Sequence, residues 1–316
     1  MNILHINLEF DCAGVSWELC KAINKFTEHE ARHVMRRTTH AAYNTDKLFN
    51  NISEILHLVE WADILHFNQW IWTHIPGDAF SFIPCNEYPK DNPFTPYLKD
   101  KKVFFHFHGG FHQLSPDYWF SECERFGARM FKCDPYSRLA SAKWMPNILD
   151  LSQIPYVPFN ERNNTHITIM GSKNDTRRVN QLIDISFKYL QKYFPFTYSF
   201  FDEIPRGEAL KMRSTTSITI DNTTQGFTGM WGWEALAMGQ ALMARLSDRT
   251  WDAYAGLGGM PPIINVENID DVAHIVTLLI DQRSNLESLC QISRDWALKN
   301  YNEERLVKLY VDEYAS

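Results

Sequence analysis

Basic residues are the first shortage: 31 Lys and Arg stand against 38 Asp and Glu, a net charge of −7. A chain without a basic surplus lacks the overall field that draws phosphate backbones, so nucleic acid is not an expected partner. Cysteine is sparse and scattered. Cys12, Cys20, Cys85, Cys123, Cys133 and Cys290 form no C-x-x-C pair, which argues against a zinc ribbon or a dense disulfide framework and fits a reducing compartment. No stretch approaches the roughly 18 uncharged apolar residues of a membrane span, and Glu9 and Asp11 fall where a secretory leader needs an unbroken apolar run. A cytoplasmic protein without a transmembrane segment is the expectation. The first strand is followed by Gly14 alone, not by G-x-G-x-x-G, which disfavours a nicotinamide dehydrogenase. There is no D-x-D, only Glu9-Phe10-Asp11, and His106, His108 and His112 lack the H-E-x-x-H or cysteine context of a metal site. No metal and no other cofactor is expected.

What is present is apolar mass. Of 316 residues, 45% are hydrophobic and 14% aromatic, enough for two packed cores. Apolar runs at Ile3–Asn7, Ala62–Phe67 and Lys102–Phe107 read as strands, and Trp17–Phe26 and Ile52–Trp61 repeat at helical spacing. A proline-containing polar tract between Leu151 and Thr165 marks a boundary. Alternation then restarts with strands at His166–Met170, Thr197–Phe201 and Ser217–Asp221. Helices are predicted at Asn180–Phe194, near Gly207–Arg213 and near Trp233–Met238, with three more closing the chain. Strand–helix alternation implies parallel sheets, so the fold class is α/β with two Rossmann-like units in tandem. The boundaries drawn are 1–155, 156–298 and a closing helix at 299–316.

Ligands of parallel sheets gather beyond the carboxyl ends of the strands. Three such ends stand out. After Ser217–Asp221 comes a turn with Thr228 and three glycines, Gly226, Gly229 and Gly232, whose missing β-carbons let backbone N–H groups approach an anion, then a helix whose dipole favours a diphosphate. Glu234, placed in that helix's first turn, either accepts both protons of a ribose diol or only complements the dipole. After Met170 the loop carries Lys173, Arg177 and Arg178 before Asn180; arginine's planar fork suits a diphosphate, and the alternative is a solvated helix start. At the third end, His108 precedes Gly109-Gly110 and is a candidate to hydrogen-bond a substrate, whereas His106 fits a packed interior residue. Phe67, Trp70, Trp72, Phe80 and Phe82 offer flat faces to sugars or serve as packing.

These segments together resemble the retaining, metal-independent glycosyltransferases of GT-B architecture, near glycosyltransferase family 4. The run Glu234-Ala235-Leu236-Ala237-Met238-Gly239 is similar to the end of that family's E-x7-E motif. The resemblance implies two Rossmann-like domains facing across a cleft, with the final helix crossing back to the first. It implies transfer of a sugar from a nucleotide-diphosphate sugar to an acceptor hydroxyl of a glycan or lipid-linked glycan, in glycan or surface-polysaccharide synthesis. Glu234 matches the ribose-holding glutamate, Arg177 the phosphate-binding arginine, His108 the histidine beside the reacting sugar, and Gly14 the loop near donor phosphate and acceptor. The motif's first glutamate falls on Gly226, as in relatives with a G-x-x-G form, and the customary lysine falls on Asn180, for which Arg178 or Lys173 substitutes. Competing readings are a sugar-nucleotide epimerase or phosphorylase of the same shape, and a nucleotide-sugar-binding protein without catalysis.

Overall fold

The computed structural model describes residues 1–8, 11, 14–38, 44–68, 94–108, 116–135, 141–171, 179–202 and 204–316. They divide into two compact units, Met1–Ile148 with Leu306–Ser316, and Leu149–Arg305.

The first unit is built on β1 (Asn2–Asn7), β2 (Glu30–Met35), β3 (Lys47–Leu48), β4 (Ile64–Asn68), β5 (Lys102–Phe107), β6 (Arg129–Lys132) and β7 (Lys143–Trp144). All pair in parallel, in the order β3-β2-β1-β4-β5-β6-β7. Helices α1 (Val15–Phe26), α2 (Leu56–Trp61) and α3 (Pro116–Arg125) lie in the connections. Strand geometry sends alternate side chains to opposite faces. Leu4, Ile6, Leu65, Phe67, Val103 and Phe105 therefore join one core with Val34, Val59 and Phe94. The intervening positions, His5, His66, Phe104 and His106, face the other way, where Tyr310 and Tyr314 lie against them. Sequence order brings β1 to the interior of the sheet, because the chain adds β2 on one side and returns to add β4 on the other. The reversal between β1 and β4 is the topological switch point of this sheet.

The second unit holds β8 (Asn163–Met170), β9 (Thr197–Phe201), β10 (Thr216–Ile220), β11 (Ala241–Ala244) and β12 (Ile263–Asn265), with α4 (Val179–Leu190), α5 (Arg206–Ser214), α6 (Met230–Ala237), α7 (Asp248–Ala255), α8 (Ile269–Asp281) and α9 (Arg283–Asn300). Its order, β12-β11-β10-β8-β9, is again parallel throughout. Ile167, Ile169, Ile218, Ile220 and Met243 meet Ile183 and Phe187 of α4 and Val272 and Val276 of α8 in its core. Here the switch point lies between β8 and β10, whose carboxyl ends open onto residue 171 and onto Asp221. The last helix, α10 (Glu303–Ala315), begins in this unit and contributes its length from Leu306 to the first. Tyr310 donates to the Pro146 carbonyl at 3.0 Å, and Tyr314 pairs with His66 Nδ1 at 2.5 Å. Among the described residues, no helix is long and apolar enough to cross a membrane.

Candidate functional site

In the second unit, β10 delivers Asp221 to the switch point, and the chain turns through Gly226–Gly229 into α6. That turn is held from several sides. The Gly226 carbonyl accepts from Ser247 N (2.9 Å) and Thr250 Oγ1 (2.6 Å) at the start of α7. Tyr254 Oη accepts from Thr228 N at 3.2 Å and donates to its carbonyl at 3.0 Å. The Thr228 hydroxyl donates to Asp221 Oδ2, which also takes the Gly229 N–H at 3.3 Å. Burial pushes the Asp221 carboxyl up from its ordinary value, and these donors pull the other way. Gly226 sits at φ 79°, a left-handed backbone that favours glycine, so the family's first glutamate would be strained at this position. Gly232 is set by space: a β-carbon there would overlap the Thr228 hydroxyl and lie 2.8 Å from Asp221 Oδ2.

The helix begins at Met230, not near Trp233, and this moves Glu234 out of the first turn. Its charge is therefore not a complement to the helix dipole, whose effect is confined to the terminal turn. Instead Glu234 Oε2 accepts from Arg213 at 2.7 Å and Oε1 from Arg206 Nε at 2.9 Å. Arg213 is wholly buried, lies 3.4 Å from the centre of the Trp231 ring and donates to the Trp231 carbonyl at 2.6 Å. Burial pulls its guanidinium below its usual value, and Glu234 opposes that shift. A carboxylate has about four acceptor sites, so two guanidinium contacts orient Glu234 and leave capacity for hydroxyl donors. Trp233 anchors the helix by stacking on Tyr301 at 4.7 Å and meeting Tyr254 edge-on at 4.8 Å. The Met230 and Trp231 N–H groups, in the first turn, meet no acceptor among the described residues, and a helix start of this kind suits an anion. Asn180, at the start of α4, donates to the Met170 carbonyl at 3.1 Å and so ties that helix to the end of β8.

In the first unit, Gly14 is the N-cap of α1. The amino end of α1 already holds an anion: Asp11 accepts from Ser16 N at 3.1 Å and Trp17 N at 2.9 Å. Its carboxyl is pushed up to about 6 by burial, against those two bonds. Parallel register sets His5 opposite both His33 and His66. The His5 and His66 rings lie 4.5 Å apart, those of His66 and His106 5.4 Å, and those of His106 and His108 4.1 Å. Burial lowers His5 and His33 to about 3, with nearby histidines adding to the effect on His5, and lowers His66 well below its ordinary value. His108 ends this file, with Nε2 3.2 Å from Asn68 Oδ1.

The sequence-predicted residues Gly226, Thr228, Gly229 and Glu234 come together in one turn and helix, with Asn180 at the neighbouring strand end. Gly14 and His108 belong to the first unit. Lys173, Arg177, Arg178, His112 and the aromatic residues Trp70, Trp72, Phe80 and Phe82 lie outside the described residues. Sequence reasoning assigns no part in the site to Arg206, Arg213, Asp221, Asp11 or Asn68. A polar residue ending a strand is a usable signal for Asp221 and Asn68, whereas nothing local marks the two arginines as partners of Glu234. No group of three or more His, Cys, Asp or Glu is placed to hold a metal ion among the described residues.

No family model and no curated protein sequence matches this chain. Its likeness is to solved structures. An α-glucosyltransferase in complex with UDP and a 13-mer DNA aligns with a TM-score of 0.69 at 14% identity, over 100% of both chains. HepE from Anabaena in complex with UDP gives 0.64 at 11%, again over 100% of both. A glycosyltransferase from Rickettsia africae gives 0.64 at 10%, over 99% of this chain and 97% of that one. The fold is GT-B. One expectation falls here. Exclusion of nucleic acid on net charge does not stand, because a chain of this fold is bound to DNA in several of the matching structures. A net charge of −7 averages the whole surface, while duplex binding depends on the local field of one face.

Proposed function

We propose that this chain transfers a glycosyl unit from a nucleoside-diphosphate sugar to an acceptor hydroxyl, with retention of configuration and without a metal. The observation that carries the proposal is the start of α6: two N–H groups that meet no acceptor among the described residues and, one turn further on, a carboxylate oriented by two arginines, all at the switch point of a GT-B unit. The N–H groups stabilise the diphosphate as negative charge develops on it, and Glu234 accepts from the ribose hydroxyls. In the sequence, residues 172–178 include Lys173, Arg177 and Arg178, the cations expected to join them; the resemblance assigns His108 to the sugar. UDP and UDP-glucose accompany several structures of this fold, which supports a uridine donor.

The acceptor on this reading is a glycan hydroxyl. A second reading, a hydroxyl on DNA, is favoured by the α-glucosyltransferase complexes, one of which contains an HMU base. Melting shifts with UDP, GDP and ADP, followed by UDP-glucose consumption over oligosaccharide and HMU-containing duplex acceptors, test both. A UDP-dependent rise in Tm, product formation and loss of about 10²-fold in turnover in Arg177→Ala are expected. A stabilising nucleotide with no donor consumed on any acceptor overturns transfer in favour of simple nucleotide-sugar binding.

A further inference from the structure

Asn68 closes β4 with a buried carboxamide, and the three contacts of that group settle its orientation. Nδ2 donates to the His66 carbonyl at 3.3 Å and lies 3.5 Å from His5 Nδ1, while Oδ1 lies 3.2 Å from His108 Nε2. Turning the amide over would set its oxygen 3.3 Å from a carbonyl oxygen, two acceptors with no proton between them. Oδ1 therefore faces His108. An amide oxygen only accepts, so the proton between the two groups belongs to His108 Nε2. In the neutral imidazole, Nδ1 is then the accepting nitrogen, and any group that meets it must donate.

We infer that Asn68 is a positioning residue for His108: it holds the imidazole as the Nε2–H tautomer and so makes Nδ1 the accepting nitrogen of the ring. The site constrains this choice tightly. His108 is 4% exposed and Asn68 1%, so water is a poor substitute for either partner. The His106 ring, 4.1 Å from that of His108, limits reorientation of the imidazole. The tautomer follows from geometry alone; only its use against a sugar rests on the glycosyl-transfer reading.

Long-range 1H–15N correlation on protein labelled at histidine, with His108 assigned by its loss in His108→Gln, reads the tautomer without substrate. The wild-type spectrum is expected to show His108 protonated at Nε2 and bare at Nδ1. Asn68→Ala is expected to mix or reverse the two, whereas Asn68→Asp, still an acceptor, keeps the proton on Nε2. With UDP-glucose, kcat falls by roughly tenfold or more in Asn68→Ala while donor KM changes by less than about threefold, and Asn68→Asp recovers part of the loss. A wild-type signal protonated at Nδ1, or an unchanged tautomer in Asn68→Ala, overturns the inference. If Asn68→Ala shows no cooperative melt, the wild-type and Asn68→Asp spectra still decide it. If the wild type turns over no nucleotide sugar, the functional reading falls and the tautomer result stands.

Discussion

The first unit lines one face of its sheet with His5, His66 and His106, with His33 and His108 continuing the file, and covers that face with the tyrosines of α10. The second unit places Arg213, Arg206 and Glu234 around the start of α6. Both bury ionisable groups, but by opposite means. Histidine loses its proton near neutral pH and enters the interior uncharged, at the cost of being held far below its ordinary pKa. Arginine has no such route, so Arg213 retains its charge and requires Glu234. The first arrangement suits a face that must pack against a helix, the second a site that must hold a carboxylate in one position. Stability in one unit therefore follows pH, and in the other it follows the integrity of a pair.

The contrast is broken most severely at the pair. Arg213→Met leaves Glu234 buried with Arg206 alone and is expected to cost about 4 kcal/mol in urea unfolding, with Arg213→Met/Glu234→Leu recovering most of it. A cost near zero would mean that Arg206 and solvent suffice for Glu234. Acid sharpens the other side. Because His5, His33 and His66 titrate lower in the folded chain than in the unfolded one, the unfolded chain binds more protons below about pH 6.5, and stability falls as pH drops from there toward about 3. Asp11, raised to about 6, acts in the opposite sense between there and its ordinary value of 3.8. A net loss of about 3 kcal/mol between pH 7.5 and 5.5 is expected, with His33→Asn flattening the slope. A flat profile from 7.5 to 5.5 would show that the file takes up protons without resistance.

Two smaller effects test the turn that presents α6. Gly232→Ala drives a methyl into the Thr228 hydroxyl and should cost about 2 kcal/mol and weaken the UDP-induced melting shift, with Thr228→Ala restoring part of both. Wild-type melting in Gly232→Ala would mean that Thr228 has another place to go. Gly226→Ala should cost about 1 kcal/mol through the left-handed backbone alone. Gly226→Glu, which writes the family's first glutamate into the chain, should cost at least as much and raise no turnover; faster transfer would show that the backbone at 226 adapts.

Most of the architecture is legible along the chain because its signals are local. Apolar runs of five or six residues alternating with helical periodicity imply parallel sheets, and β1, β5 and β9 fall within a residue or two of where their patterns place them. The glycine turn and Glu234 are legible for the same reason, as a strand end followed by small residues and a helix. The sequence alone starts α6 too late, near Trp233, because Gly229 and Gly232 read alike as turn residues. Gly232 is helical, and it is glycine because Asp221 and Thr228, several residues upstream, occupy the space of its side chain.

Partnership is the property that local signals do not carry. His5, His33 and His66 are about 30 residues apart and become neighbours only when the strands choose a register, which moves every side chain to one face or the other. Likewise Arg206, Arg213 and Glu234 are ordinary charged residues in their own segments, and only the meeting of α5 with α6 makes them one ion-paired group. Backbone periodicity is written into neighbouring residues and survives without context. The protonation state, charge balance and orientation of a side chain depend on what surrounds it, and those surroundings exist only in the folded chain.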